Sequence, residues 1–135
     1  MILVDTNILF DLATDDSEWF AWSRDAMQAA ANDGSISINP IIYAELSVRY
    51  ENLSEVDDFL ELIGVQILGL SNHAAFLAAK AYARYRLSGG AKTGVLSDFF
   101  IGAHAETLNV PLLTRDVRRY RTYFPDVRLI TPQMN

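Results

Sequence analysis

The chain has 135 residues, half of them hydrophobic and 21% charged, with a net charge of −6 and no cysteine. That is enough chain for one domain with a sizeable core, and it excludes disulfides and thiolate metal sites. No segment approaches the roughly 18 to 20 uninterrupted apolar residues of a membrane span, and the N-terminus lacks the basic and small-residue marks of a secretory signal, so a cytoplasmic domain over residues 1–135 is expected.

In chain order, strand-like and helix-like patterns alternate. Ile2 to Val4 read as a buried strand ending at Asp5, and Thr6 to Ala13 as a short helix. Asp16 or Ser17 can cap a longer helix to about Asn32, stopped by Asp33-Gly34. Ser35 to Ile38 is a second strand. Asn39-Pro40 pairs an N-cap residue with a first-turn proline and opens a helix to about Tyr50. Ser54 with Asp57 opens another, closed by Gly64, and Val65 to Leu68 form a third strand. Ser71 caps a helix to Leu87, and Ser88-Gly89-Gly90 begins a loop running to Gly94. A helix from Leu96 to Leu108, a strand from Pro111 to Thr114, a short helix near Asp116 and an edge strand from Arg128 to Ile130 complete the chain. Four or five strands, each followed by helix, predict a mainly parallel sheet with helices on both faces, a three-layer α/β/α sandwich. Ligands of such sheets bind at the carboxyl ends of the strands, where Asp5 and Asp116 fall.

Four acids stand out against their neighbours. Asp5 follows an apolar strand, and a desolvated carboxylate there costs several kcal/mol unless it caps a helix, is paired or binds a cation. Asp98 lies in the first turn of the apolar helix VLSDFFIGAHA, Glu45 sits a turn and a half into NPIIYAELSVRY, and Asp116 ends LLTRD. Each alone has an ordinary reading as a cap, a first-turn acid or an exposed helix glutamate. Together they would project from one rim of the sheet. Two carboxylates about 4 Å apart repel by roughly 4 kcal/mol at an effective dielectric of 20, a penalty that a divalent cation removes. Oxygen donors without cysteine or a histidine pair select Mg²⁺ or Mn²⁺.

Charge is divided along the chain: residues 1–79 hold 13 acids and 2 bases, residues 80–135 hold 4 acids and 9 bases. Arg115, Arg118, Arg119 and Arg121 gather beside Asp116, while Arg84, Arg86 and Lys92 flank the Gly89-Gly90 loop. A phosphate-tracking edge beside the acids is expected, although an exposed helix face would look the same. Trp19, Phe20 and Trp22 offer a partner surface or core packing. His104 is six residues past Asp98 and off its helical face, so a supporting or surface role is expected rather than ligation.

The order DTN at 5–7, Glu45 shortly after Asn39-Pro40, SDFFIGAHA at 97–105 and LLTRD at 112–116 resembles the PIN-domain family, and the DTNIL opening and size resemble its VapC toxins. The resemblance spans residues 2 to about 130. It implies Asp5, Glu45, Asp98 and Asp116 as the acidic metal-binding and catalytic set, with Thr6, Asn7 and Thr114 as polar supports. It further implies a Mg²⁺- or Mn²⁺-dependent endoribonuclease that acts on RNA, forms a homodimer and is inhibited by a cognate antitoxin.

Two other classes compete. An aspartyl-phosphate enzyme would want a second aspartate two residues after Asp5, where Asn7 stands, and a lysine where Arg115 follows the strand. A non-catalytic or very narrowly specific binding module on the same scaffold would typically lose one or more acids, and all four are present.

Overall fold

The structure is a computed structural model that describes residues 1–92 and 94–132; the Thr93 part of the expected 88–94 loop lies outside the described residues. Five strands form one fully parallel sheet: β1 (Ile2–Val4), β2 (Ile36–Ile38), β3 (Val65–Ile67), β4 (Leu112–Leu113) and β5 (Leu129–Ile130), in the order β3-β2-β1-β4-β5. Among the described residues seven helices accompany them: α1 (Thr6–Ala13), α2 (Phe20–Asp33), α3 (Pro40–Ser47), α4 (Leu53–Leu62), α5 (Asn72–Leu87), α6 (Leu96–Leu108) and α7 (Arg118–Tyr123). The architecture is the expected three-layer sandwich. No described helix is long and apolar enough to cross a membrane.

Burial follows strand position. The three central strands β1, β2 and β4 are buried at every residue, and β1 and β4 accordingly read as uninterrupted apolar runs while β2 carries the buried Ser37 at its centre; the edge strands β3 and β5 are partly exposed. From β1 the chain builds outward through β2 and β3, then crosses back to place β4 on the other side of β1. Strand order therefore reverses between β1 and β4. At such a switch point the elements leaving the two strands diverge and open a crevice at their carboxyl ends.

Helix ends differ from expectation where a local signal was superseded. Asp16 Oδ1 accepts the amide protons of Glu18 and Trp19, so it caps a turn, and α2 proper starts only at Phe20. α3 stops at Ser47 rather than Tyr50. α4 begins at Leu53 behind Asn52, whose amide donates to Glu55 at 2.7 Å, and Ser54 lies inside the helix. Ser71 caps α5 as expected, its hydroxyl accepting from the Ala74 amide. α6 closes on Asn109 at φ 55°, a left-handed cap that asparagine tolerates.

Two contacts set the position of α6, which carries Asp98. Asn39 caps α3 by accepting from the Ile42 amide at 2.9 Å, and its own amide nitrogen donates to His104 Nδ1 at 3.1 Å. The imidazole must therefore accept at Nδ1, in keeping with burial that lowers its pKa and holds it neutral. His104 is thus a buried link between the cap of α3 and the middle of α6, not a surface residue. Gly102 faces Phe124 so closely that a Cβ would stand 2.3 Å from the ring, so only glycine admits this packing.

Candidate active site

The carboxyl end of β1 delivers Asp5 to the crevice. Its Oδ1 accepts from the Thr6 amide at 2.7 Å, making it the N-cap of α1. Oδ2 accepts from the Thr114 hydroxyl at 2.8 Å, the Tyr120 hydroxyl at 2.9 Å and, more distantly, the Asn7 amide at 3.4 Å. The buried carboxylate is accordingly a cap and more, with Oδ2 saturated and Oδ1 retaining a lone pair. Burial nevertheless dominates and raises its pKa to about 6 against the bonds from Thr114, Tyr120 and Thr6, with the Glu45 charge adding to the rise.

Thr114, at the end of β4, joins two acids. Its hydroxyl donates to Asp5 and accepts from the Asn7 amide at 3.2 Å and the Asp116 backbone amide at 3.1 Å, which uses its one donor and both acceptor positions. Glu45 on α3 is held at both oxygens: Thr6 Oγ1 donates to Oε1 at 2.6 Å and Ser97 Oγ to Oε2 at 3.0 Å. Thus Thr6, Asn7 and Thr114 connect Asp5, Glu45 and Asp116, while Ser97 ties α6, the helix of Asp98, to Glu45.

Asp98, in the first turn of α6, pairs with Arg119 of α7, Nη1 to Oδ2 at 3.3 Å. Its carboxyl is raised to about 7 by burial first and the Asp5 charge second; Arg119 opposes this, and Asp116 and Glu45 add to it. Asp98 therefore senses all three of the other acids. Asp116 is the most open of the four, its side chain 46% exposed, with a loose 3.8 Å contact to Arg118.

Among the described residues no three carboxylates or imidazoles stand at metal-ligating spacing, so the acids are neighbouring donors rather than a finished cage. The donor chemistry still suits a hard divalent cation: all oxygen, four carboxylates, and only two monodentate arginine contacts, Arg119 on Asp98 and the loose Arg118 on Asp116, as local counter-charge. Because protons compete with a cation for Asp5 and Asp98, Mn²⁺ affinity measured by calorimetry is expected to rise steeply from pH 5 to about pH 7 and level off above it, with proton release below pH 7. Affinity independent of pH across that window would mean these two groups are not ligands.

The basic residues divide by geometry. Arg84, Arg86, Lys92, Arg118 and Arg121 are exposed. Arg115, expected at a phosphate-facing edge, turns inward: Nε and Nη2 each approach Asp11 at 2.8 Å, and its guanidinium lies 4.8 Å from the Trp19 ring centre. The reason is Asp11 itself, a carboxylate on α1 only 3% exposed that also accepts from Ser23 at 2.6 Å and requires a counter-charge. The Trp19 ring is occupied in that contact, while Trp22 packs against the core.

Three members of this constellation were not singled out from the sequence: Asp11, Ser97 and Tyr120. Ser97 adjoins Asp98, a weak signal; for Asp11 and Tyr120 nothing local distinguishes an interior partner from a surface residue.

A parallel α/β sandwich with a carboxylate cluster at its strand-order reversal defines a class of acidic-site domains. A sequence profile described as PIN domain matches residues 2–125, and the chain belongs to that family. No curated protein sequence matches the chain significantly. Similar solved structures include VapBC2 from Rickettsia felis bound to a DNA fragment from its promoter (TM-score 0.75, 19% identity, covering 98% of this chain and 100% of that one). VapBC-1 from nontypeable Haemophilus influenzae is similar at TM-score 0.70 and 22% identity, covering 97% of this chain and 98% of that chain. A toxin–antitoxin complex from Klebsiella pneumoniae gives TM-score 0.67 at 24% identity, with both chains fully covered.

Proposed function

We propose that the protein is a Mg²⁺- or Mn²⁺-dependent endoribonuclease that acts as a single cytoplasmic domain and as the toxin of a toxin–antitoxin pair. The observation that carries this reading is the proximity of Asp5, Glu45, Asp98 and Asp116 across the crevice between β1 and β4, close enough for the charges of the other three to raise the Asp98 carboxyl. Family membership supports it, because such domains are typically nucleases.

Asp5, through Oδ1, and Asp98 would hold the cation directly. When bound there, a divalent ion lowers the pKa of an attacking water and neutralises charge on the non-bridging phosphate oxygens. Glu45, immobilised by Thr6 and Ser97, orients that water, and Asp116 at the open rim holds a further water or the leaving side of the substrate. Hydrolysis exchanges one phosphorus–oxygen bond to the ribose for one to water, and the departing alkoxide takes a proton. Arg84, Arg86, Lys92, Arg118 and Arg119 are the residues on hand for phosphates, with Arg115 committed to Asp11.

An inhibitory partner has a fitting surface. An apolar groove of about 420 Å³ runs between α2 and α4, lined among others by Phe20, Met27, Phe59 and Leu62. The exposed acids Asp25, Glu55, Asp58 and Glu61 lie on the same two helices. A basic amphipathic antitoxin segment matches both the apolar floor and the charge. A homodimer is the assembly we assign by the family resemblance.

The deciding experiment is cleavage of end-labelled structured and unstructured RNAs by purified, partner-free protein. Cutting is expected with Mn²⁺ and with Mg²⁺, and is expected to fall at least a hundredfold in EDTA. Cutting that persists in EDTA would refute the metal mechanism. Absence of Mn²⁺ binding would refute the site.

A further inference from the structure

One cleft outside the acids has the chemistry of a nucleotide site. It is a shallow, open cleft of about 270 Å³ lined by Tyr85, Arg118, Arg119, Thr122 and Tyr123, just below the span of whole-ligand pockets and suited to one unit of a longer chain. Two phenol rings, two guanidiniums and a hydroxyl meet there without a carboxylate, in a protein whose net charge is −6.

Its position is set by Arg119. That side chain lines the cleft and also reaches Asp98 with Nη1 at 3.3 Å, so the cleft abuts the carboxylates. The two inward arginines are unlike. Arg115 is held by two 2.8 Å bonds to the two oxygens of Asp11, whereas Arg119 makes one long bond, and its buried Nε has no hydrogen-bond partner among the described residues. Arg119 thus keeps terminal guanidinium hydrogens uncommitted at the boundary between acids and cleft, where a phosphate would sit.

The aromatic wall is rigid and asymmetric. Tyr123 stands edge-on to Phe99 at 5.3 Å and to Tyr85 at 6.1 Å, and Tyr85 is further braced by Tyr82 and Phe99. Gly90 lies against the Tyr85 ring, where a Cβ would come within 2.4 Å. That loop is tied down by the Lys92 backbone amide, which donates to the Tyr85 hydroxyl at 3.1 Å, and it brings the exposed Lys92 alongside. One face of Tyr85 is therefore covered, which leaves Tyr123 as the stacking platform. A ring platform with flexible cations and a single hydroxyl is the pattern of base stacking that tolerates any base.

We propose that this cleft is a nucleotide subsite in which one unpaired base stacks on Tyr123 while its phosphate is held by Arg118 and Arg119, placing single-stranded RNA next to the carboxylates. The proposal rests on the ribonuclease reading and adds a location and a strand preference to it.

The test uses the whole chain and a fluorescein-labelled seven-nucleotide single-stranded RNA, with binding followed by anisotropy in EDTA so that no cleavage intervenes. Tyr123→Leu is expected to weaken binding about tenfold or more and Tyr123→Phe less than twofold. Arg118→Glu, at a side chain 80% exposed and hence safe for folding, is expected to weaken it about tenfold and lower the salt dependence. An RNA with abasic units should bind wild type as weakly as the intact RNA binds Tyr123→Leu, and a duplex of equal length should also bind weakly. Wild-type affinity in Arg118→Glu, or in a folded Tyr123→Leu, would overturn the subsite, as would equal binding of the abasic RNA. Cleavage in Mn²⁺ is read separately: RNA held by Tyr123 yet never cut would sink the nuclease reading and leave the subsite standing, and cutting unaffected by these variants would do the reverse.

Discussion

Replacing Asp98 by asparagine is expected to cut metal-dependent RNA cleavage by about a thousandfold or more while making the metal-free protein harder to melt above pH 7. The two effects share one cause. In the folded chain the Asp98 carboxyl is lifted to about 7 from 3.8, by burial and then by Asp5, against the opposing charge of Arg119 and with smaller additions from Asp116 and Glu45. A folded pKa above the unfolded value means that the native state holds a proton the unfolded chain has already lost. The metal-free fold therefore loses stability as pH rises from about 4 to about 7. Asparagine cannot ionise, and its carbonyl oxygen can still accept from Arg119. Melting temperatures of variant and wild type should coincide near pH 4 and differ by about 2–5 °C at pH 8, in favour of the variant. A variant less stable than wild type at pH 8 would mean that the Arg119 pair outweighs the crowding. Retained cleavage would mean that Asp98 is not in the reaction.

This opposition of stability and activity explains what could be read from the chain beforehand. The central strands β1 and β4 were legible because an apolar run suits a sheet centre, and the acid after Ile2-Leu3-Val4 was legible because nothing in a buried strand accounts for it. The same local logic placed Asp98 among Leu96, Phe99 and Phe100, and Asp116 after Leu112-Leu113. Contacts between distant segments left no such trace. Tyr120 reaches Asp5 across 115 positions and Ser97 reaches Glu45 across 52, and neither carries a local anomaly. The helix Arg118–Tyr123 shows the limit: one face buries Tyr120, Arg119 meets Asp98, and Arg118 and Arg121 are exposed, a division set by the neighbours of α7 rather than by its composition. The burial of His104 is illegible for the same reason, because the Asn39 amide that satisfies it comes from 65 residues away.

The second large effect concerns Asp11, which lies outside the four-acid set. Asp11→Ala is expected to cost about 3 kcal/mol of stability, because it strands Arg115 against Trp19 and leaves the Ser23 hydroxyl without its acceptor. Arg115 also donates its backbone amide to Asn7 at 3.1 Å, so the segment between Thr114 and Asp116 is fastened to α1 at two points. Loosening one of them should displace Asp116, and a displacement of about 1 Å can cost on the order of a hundredfold in rate. Replacing both partners by apolar residues of similar size, Asp11→Leu with Arg115→Met, removes the stranded charge. Urea denaturation of that double variant should show most of the lost stability restored, since a buried pair is more costly to break than to replace. Cleavage by it should stay depressed, because a thioether side chain has no guanidinium to draw the segment toward α1. Recovery of both would make the pair a matter of stability alone. Recovery of neither would mean that the fold of the segment depends on this charge pair and not on the packing around it.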